Sequence, residues 1–248
     1  TPAILPRSGI GAADHLRSLG IDVVVDSPMV GENLHDHPMI NASRELGPAL
    51  RAELDEAIAA GFVPEEQTLG KACSSLADDG IYDLHLFPVC ASVQTALTGG
   101  RGLVEVACMK PRSRGRVAIR STDPDAAPLI DHGYLTDPDD HDLTVLRDGL
   151  ELAEDLLGHP ALADVLQPGT PRDTSDAAIR RNVQHYFHPV GTTPMGVDES
   201  ASVCDPRGQV RGVDGLVVAD VSLMPQIPRA NTNIPAVALG ERIAELLR

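Results

Sequence analysis

The sequence predicts a mixed α/β fold, with helices flanking a mixed or antiparallel sheet, and three observations carry that prediction. The stretches at 82–89 (YDLHLFPV) and 103–110 (LVEVACMK) alternate apolar and polar residues, the period of strands with one buried face. Leu143, Leu146, Leu150 and Leu157 recur at the spacing of a single helix face. Between such segments run Pro-, Asp- and Gly-rich connections, with no internal repeat.

Taken in chain order, the opening with Pro2 and Pro6 reads as loop, and AADHLRSL at 12–19 as a short helix stopped by Gly20 in the left-handed region. IDVVV at 21–25 is β-branched and reads as a strand. MVGENLHDHP at 29–38 is a polar, broken loop, and residues 49–60 are helical up to Gly61. GRVAIR at 115–120 is a third sheet strand, followed by a connection at 121–142 ordered by Asx turns. The amphipathic helix covers 142–157, and Asp173-Thr174-Ser175 caps another over about 174–186. GLVVAD at 215–220 reads as a buried strand. The last helix, about 235–247, has Pro235 in its first turn, where a missing N–H costs nothing.

With 248 residues and a formal charge of −16, the chain can bury a core but lacks the Lys/Arg clusters that bind nucleic-acid phosphates. Its longest apolar runs are far below the roughly 20 residues of a spanning helix. Cys73, Cys90, Cys108 and Cys204 show no CxxC spacing, so they read as small buried apolar residues in a reducing, cytoplasmic setting. Gly9-x-Gly11 is followed by Asp14 and preceded by two prolines, so it is not a dinucleotide-binding loop. His35-Asp36-His37 has no evident third ligand, which leaves no metal expected.

His188 stands apart because of its company. In HYFHPVGTTPMG at 185–196, Pro189 restricts the backbone before it and Gly191 admits close approach, so the imidazole is either a catalytic group or part of a rigid turn. Near the C-terminus, Asn231-Thr232-Asn233 precedes a helix whose N-terminal N–H groups suit negative charge, and Asn233 reads as its N-cap.

Five blocks in order resemble the glucose–methanol–choline (GMC) oxidoreductase family of flavoproteins. They are TPAILPRSGIG, VGENLHDHP, PRSRGRVAIRSTDPDAAPLIDHGYLTDPDD, HPVGTTPMG, and VDGLVVADVSLMPQIPRANTNIPAVALGERIAELL. The resemblance implies FAD as cofactor and oxidation of an alcohol CH–OH by hydride transfer to flavin N5. It puts His188 in the place of the proton acceptor and Asn231 in that of the group that orients the alcohol. Asp220, Val221, Thr232 and Asn233 match cofactor-binding positions, and Arg229 stands where a small residue is common. Residues 1–40 and 188–248 are then expected in an FAD-binding domain, and 41–187 in a substrate domain. The family's N-terminal GxGxxG unit is not in this sequence. The chain is therefore expected to be a C-terminal portion that works with an N-terminal half bearing the ADP site. A non-catalytic remnant or binding subunit is the second reading. A hydrolase built on His188 is a third, disfavoured by the lack of GxSxG.

Overall fold

The computed structural model describes residues 1–61, 68–89 and 101–248. Cys90 lies outside them. The chain divides into two compact units, Thr1–His37 with Lys110–Asp137 and Phe187–Arg248, and Pro38–Met109 with Pro138–Tyr186. Lys110–Asp137, which the sequence reading keeps in the middle segment, thus belongs to the first unit.

The first unit opens with α1 (Ile4–Arg7), then β1 (Ile10–Gly11), α2 (Ala13–Ser18) and β2 (Val25–Asp26). β1 and β2 pair in parallel, Ile10 opposite Val25. Only the last residue of the expected 21–25 strand is used, because the partner strand is two residues long. Gly20 ends α2 at φ 72°, as expected. Asp26 ties this unit together by accepting the Ala13 amide through Oδ1 at 2.9 Å, which caps a helix whose own N-cap, Ala12, has no side chain to do so.

Residues 115–120 were expected in the main sheet. Instead β7 (Arg116–Ala118) forms a separate two-stranded antiparallel ribbon with β8 (Leu129–Asp131). The predicted buried strand at 215–220 does not form either: Val217 makes one isolated bridge with Gln209, and only Val218 is buried. The last helix, α6 (Asn233–Leu246), buries Ile243 alone. Leu5, Ile10, Val30, Cys204, Leu223 and Ile243 meet in the core of this unit.

The second unit is built on a five-stranded sheet ordered β4-β5-β6-β3-β9, comprising β3 (Pro38–Glu45), β4 (Gly70–Ala72), β5 (Leu84–Val89), β6 (Arg101–Cys108) and β9 (Gln184–His185). Every neighbouring pair is antiparallel. β3 was not predicted, since PMINASRE has a serine and an arginine where a strand signal expects β-branched residues. On one face lies α4 (His141–Leu157), with Leu143, Leu146, Leu150 and Leu157 all buried. Met39, Phe87, Ala107 and Met109 pack on the other, where Phe87 stacks on Tyr186 at 5.2 Å. α3 (Pro48–Ala59) ends before Gly61 at φ 87°. α5 (Asp176–Asn182) is capped by Ser175, whose Oγ accepts the Ala178 amide. It is shorter than the expected 174–186, and His185 lies on β9 opposite Pro38. Cys108 and Cys204 are buried as expected, but Cys73 is exposed.

Candidate functional site

Residues 188–195 form an extended segment with a partner on each side. On one side, the Val190 and His35 backbones exchange hydrogen bonds at 3.1 and 2.9 Å, and the Gly31 amide donates to Thr192 at 2.8 Å. On the other, the Gly191, Thr193 and Met195 amides donate to the carbonyls of Val221, Ser222 and Leu223. Asn33, in the left-handed region at φ 62°, donates its side-chain amide to the Gly191 carbonyl at 3.1 Å. Gly191 is required here: its φ is +92°, and a Cβ would lie 2.6 Å from the Asn33 carbonyl oxygen and 2.8 Å from His35 Nδ1. The sequence blocks VGENLHDHP, HPVGTTPMG and ADVSL are thus laid side by side by backbone pairing.

His188 is buried at one end of this segment, with 8% of its surface exposed. The residue before it, Phe187, has φ 61° and is 71% exposed. Such a backbone in a bulky residue is held only by its surroundings; here it turns the chain so that the aromatic ring faces out while the imidazole goes in. Asp36, itself 2% exposed, organises the turn. Its Oδ1 accepts the His37 amide at 2.8 Å and the His188 amide at 2.9 Å, and its Oδ2 accepts the Tyr134 hydroxyl at 3.0 Å. Burial and the Asp36 carboxylate together hold Tyr134 firmly as the phenol.

The His188 ring meets a second imidazole. His37 Nδ1 lies 2.9 Å from His188 Nδ1, the rings are nearly perpendicular at 86°, and His37 Nε2 faces the Pro228 carbonyl at 3.0 Å. Burial lowers the His188 pKa below its ordinary 6.5 and the Asp36 charge opposes that shift, so the ring is neutral at pH 7. His35 is pushed further, down to about 4, by burial and then by Arg114 and Lys110. It shares in the backbone pairing rather than in the His188 cluster.

The other predicted residues surround the start of α6 and the turn before it. Asp220 accepts the Ser222 amide at 2.8 Å and the Thr1 hydroxyl, and the Val221 carbonyl receives the Gly191 amide. Thr232 is buried, while Asn231 and Asn233 are exposed. Neither asparagine side chain hydrogen-bonds a described residue, so no hydrogen bond joins Asn231 to His188. Nor does Asn233 cap the helix. It is the first helical residue, after Thr232 at φ −86° and ψ −7°, and no side chain caps the first turn. With Thr232 in the N-cap position, Pro235 is the third helical residue and offers no N–H for a capping side chain to satisfy.

Asp36, His37 and Tyr134 escaped the sequence reading, which weighed HDH only as a metal pair. Two cues were present: both histidines precede a proline, and both fall in blocks that carry the family resemblance. Among the described residues no group of three or more His, Cys, Asp or Glu is placed to hold a metal.

Residues 111–240, more than half of the chain, match the family model described as GMC oxidoreductase. Choline oxidase of Arthrobacter globiformis is 37% identical over 262 residues, an alignment covering 100% of this chain and 46% of that protein. The 5-(hydroxymethyl)furfural oxidase of Methylovorus sp. (strain MP688) is 34% identical over 267 residues, covering 100% and 48%. Among solved structures, a formate oxidase variant of Aspergillus oryzae RIB40 studied for FAD modification superposes with a TM-score of 0.83 at 25% identity, covering 99% of this chain and 52% of the other. Pyridoxine 4-oxidase from Mesorbium loti gives 0.79, also at 25% identity, covering 99% and 48%. The chain spans about half the length of the curated relatives it matches. On its sequence blocks, its fold and its match over 111–240, the chain belongs to the GMC oxidoreductase family.

Proposed function

We propose that this chain is the catalytic, C-terminal portion of an FAD-dependent oxidoreductase that oxidises the CH–OH group of an alcohol. The observation that supports this reading best is His188: a buried, neutral imidazole whose backbone is fixed by Asp36 and whose ring is braced by His37. Such a base accepts the hydroxyl proton as the C–H bond is cleaved. FAD, when bound, supplies the hydride acceptor at N5.

The start of α6 fits the flavin-ring end of that cofactor. Its first turn has no side-chain cap, so its N–H groups are directed at whatever lies before it, where they favour developing negative charge. Thr232, Asn233 and the turn at Asp220-Val221 would line this end, and Asn231 would hydrogen-bond the alcohol oxygen. The sequence holds no GxGxxG loop for the ADP end, which would fall to an N-terminal half bearing that unit. The units containing 1–37 and 187–248 on one hand and most of 38–186 on the other would serve flavin and substrate respectively.

The test is rapid-mixing reduction of the flavin-loaded, two-half assembly by a panel of primary alcohols. His188→Ala should keep its flavin and be reduced roughly 10²–10⁴-fold more slowly, while His185→Ala, altered on exposed β9, behaves as the parent. Asn231→Ala should also slow reduction. Asn233→Ala should leave stability within about 0.5 kcal/mol, since it removes no cap, and shift the flavin potential instead. Equal behaviour of the His188 and His185 variants would remove His188 from the mechanism. An assembly that never carries flavin would make the chain a non-catalytic subunit.

A further inference from the structure

We infer that Asp36 is a positioning residue for His188, its buried negative charge stabilising the imidazolium that forms as the ring takes the alcohol's proton. The inference rests on the reading of His188 as proton acceptor, and three contacts carry it. Asp36 Oδ1 accepts the His188 amide at 2.9 Å and the His37 amide at 2.8 Å, and Oδ2 accepts the Tyr134 hydroxyl at 3.0 Å. Each contact brings a donor to the group, the arrangement that suits an ionised carboxylate. Tyr134 is held as the phenol, so its hydrogen is there to give.

The charge is effective because of where it sits. Asp36 is 2% exposed, so bulk water screens it weakly. The donors it accepts from, two backbone amides and a phenol, are neutral, and they solvate the carboxylate without cancelling its charge. Holding the His188 amide also fixes how far the carboxylate lies from the imidazole, since both belong to one residue. The same charge opposes the effect of burial on the His188 ring. Other titratable groups on the segments packed around His188 are His35 and His37, Asp220 beside Val221, Arg229 beside Pro228, Lys110 on the Ile227 carbonyl and Arg114 on Asn33. Among them all, Asp36 is the one that receives the His188 amide.

His188 changes charge during the proposed reaction. The alcohol O–H bond breaks and an N–H bond forms on the imidazole, while the electron pair of the C–H bond leaves as hydride to the flavin. The ring passes from neutral to singly positive in a buried place, a change that burial resists. A fixed carboxylate nearby lowers that cost, and no reorganisation is needed because its donors are already in place. The buried carboxylate of a Ser-His-Asp triad stabilises an imidazolium through a bond to the ring. Here the bond runs to the backbone of the histidine, and the charge acts on the ring through space.

The experiment is a pH titration of the flavin-loaded, two-half assembly as parent, Asp36→Asn and Tyr134→Phe. The His188 pKa is followed by NMR of ¹⁵N-labelled histidine, alongside the pH dependence of flavin reduction by alcohol. Asparagine keeps an oxygen for the two amides but carries no charge. In Asp36→Asn the His188 pKa and the acid limb of the reduction rate should therefore move to lower pH by roughly one unit, with the limiting rate lower by up to roughly 10-fold, the same interaction read as a rate. Tyr134→Phe keeps the charge and removes a donor that spreads it, so the His188 pKa and the limb should rise by a few tenths of a unit. An unmoved or raised His188 pKa in Asp36→Asn overturns the inference, since the carboxylate would then serve the two amides alone. An unmoved or lowered value in Tyr134→Phe overturns it too, and that variant decides should Asp36→Asn fail to fold. Failure of every alcohol to reduce the flavin would strike the proposed function, while the titration would still read the effect of Asp36 on His188.

Discussion

His35, His37 and His188 lie within one loop cluster, yet burial and contacts give them different work. His35 is the acid-sensitive one. Its pKa is pushed down to about 4 in the folded chain by burial, with Arg114 and Lys110 adding to it, against 6.5 as the ordinary value. Between those values the unfolded chain takes up a proton that the native ring refuses. Its contribution to stability is therefore whole above pH 6.5 and is lost as the pH falls towards 4, an order-of-magnitude loss of about 3 kcal/mol. Its Nδ1 faces the Asn33 carbonyl at 2.6 Å, a bond that an asparagine amide can replace. His35→Asn is expected to remove most of the acid-side slope, read as urea denaturation of the full protein from about pH 7 to about pH 4. An undiminished slope in the variant would assign it to other groups. The sequence separated none of these roles, because HDH looks alike whether a ring is paired with a backbone carbonyl or with another imidazole.

At the scale of elements, what was legible had a strong period. The four leucines of α4 and the alternation in β5 and β6 were predicted and are used as such. What was missed depended on the partner. β3 is polar for a strand but is paired on both edges, by β6 and β9, so the ladder outweighs its composition. Residues 116–118 look no different from a sheet strand, but their partner is Leu129–Asp131. Gly149 shows how closely α4 lies on its sheet. A Cβ there would come within 2.4 Å of Val106 Cγ1 and 2.8 Å of Leu84 Cδ2. Alanine is the better helix former by about 1 kcal/mol, but overpacking costs about 1–3 kcal/mol, and both neighbours are buried in the sheet. Gly149→Ala is accordingly expected to destabilise the protein in chemical denaturation. A variant as stable as the parent would mean that the helix can lift away from the sheet at little cost.

For the molecule as a whole, the chain spans about half the length of its curated relatives, and its first unit shows apolar surface in keeping with that. Ile4 is 67% exposed, Ile234 75% and Val237 60%, and α6 buries one residue in fourteen positions. Exposed apolar residues gathered on an element this poorly covered favour association or dye binding. The chain purified without an N-terminal half should therefore bind a hydrophobic dye or self-associate, and should not retain FAD through gel filtration. Tight, stoichiometric FAD on the lone chain would show that the ADP contacts are dispensable. Among the described residues no helix is long and apolar enough to cross a membrane.

The sequence by itself determined the family, the mixed α/β class and the main amphipathic helix, because each is written in local periodicity or in short ordered blocks. The tertiary structure alone decided which residues surround His188. Asp36 and His37 are 152 and 151 positions away along the chain and reach it through backbone pairing between loops. It also decided how α6 starts, with Thr232 at φ −86° and ψ −7° in the N-cap position and no side-chain cap bond. Local sequence sets what each segment can form. Long-range hydrogen bonds and burial select, among those options, the partner that each histidine meets.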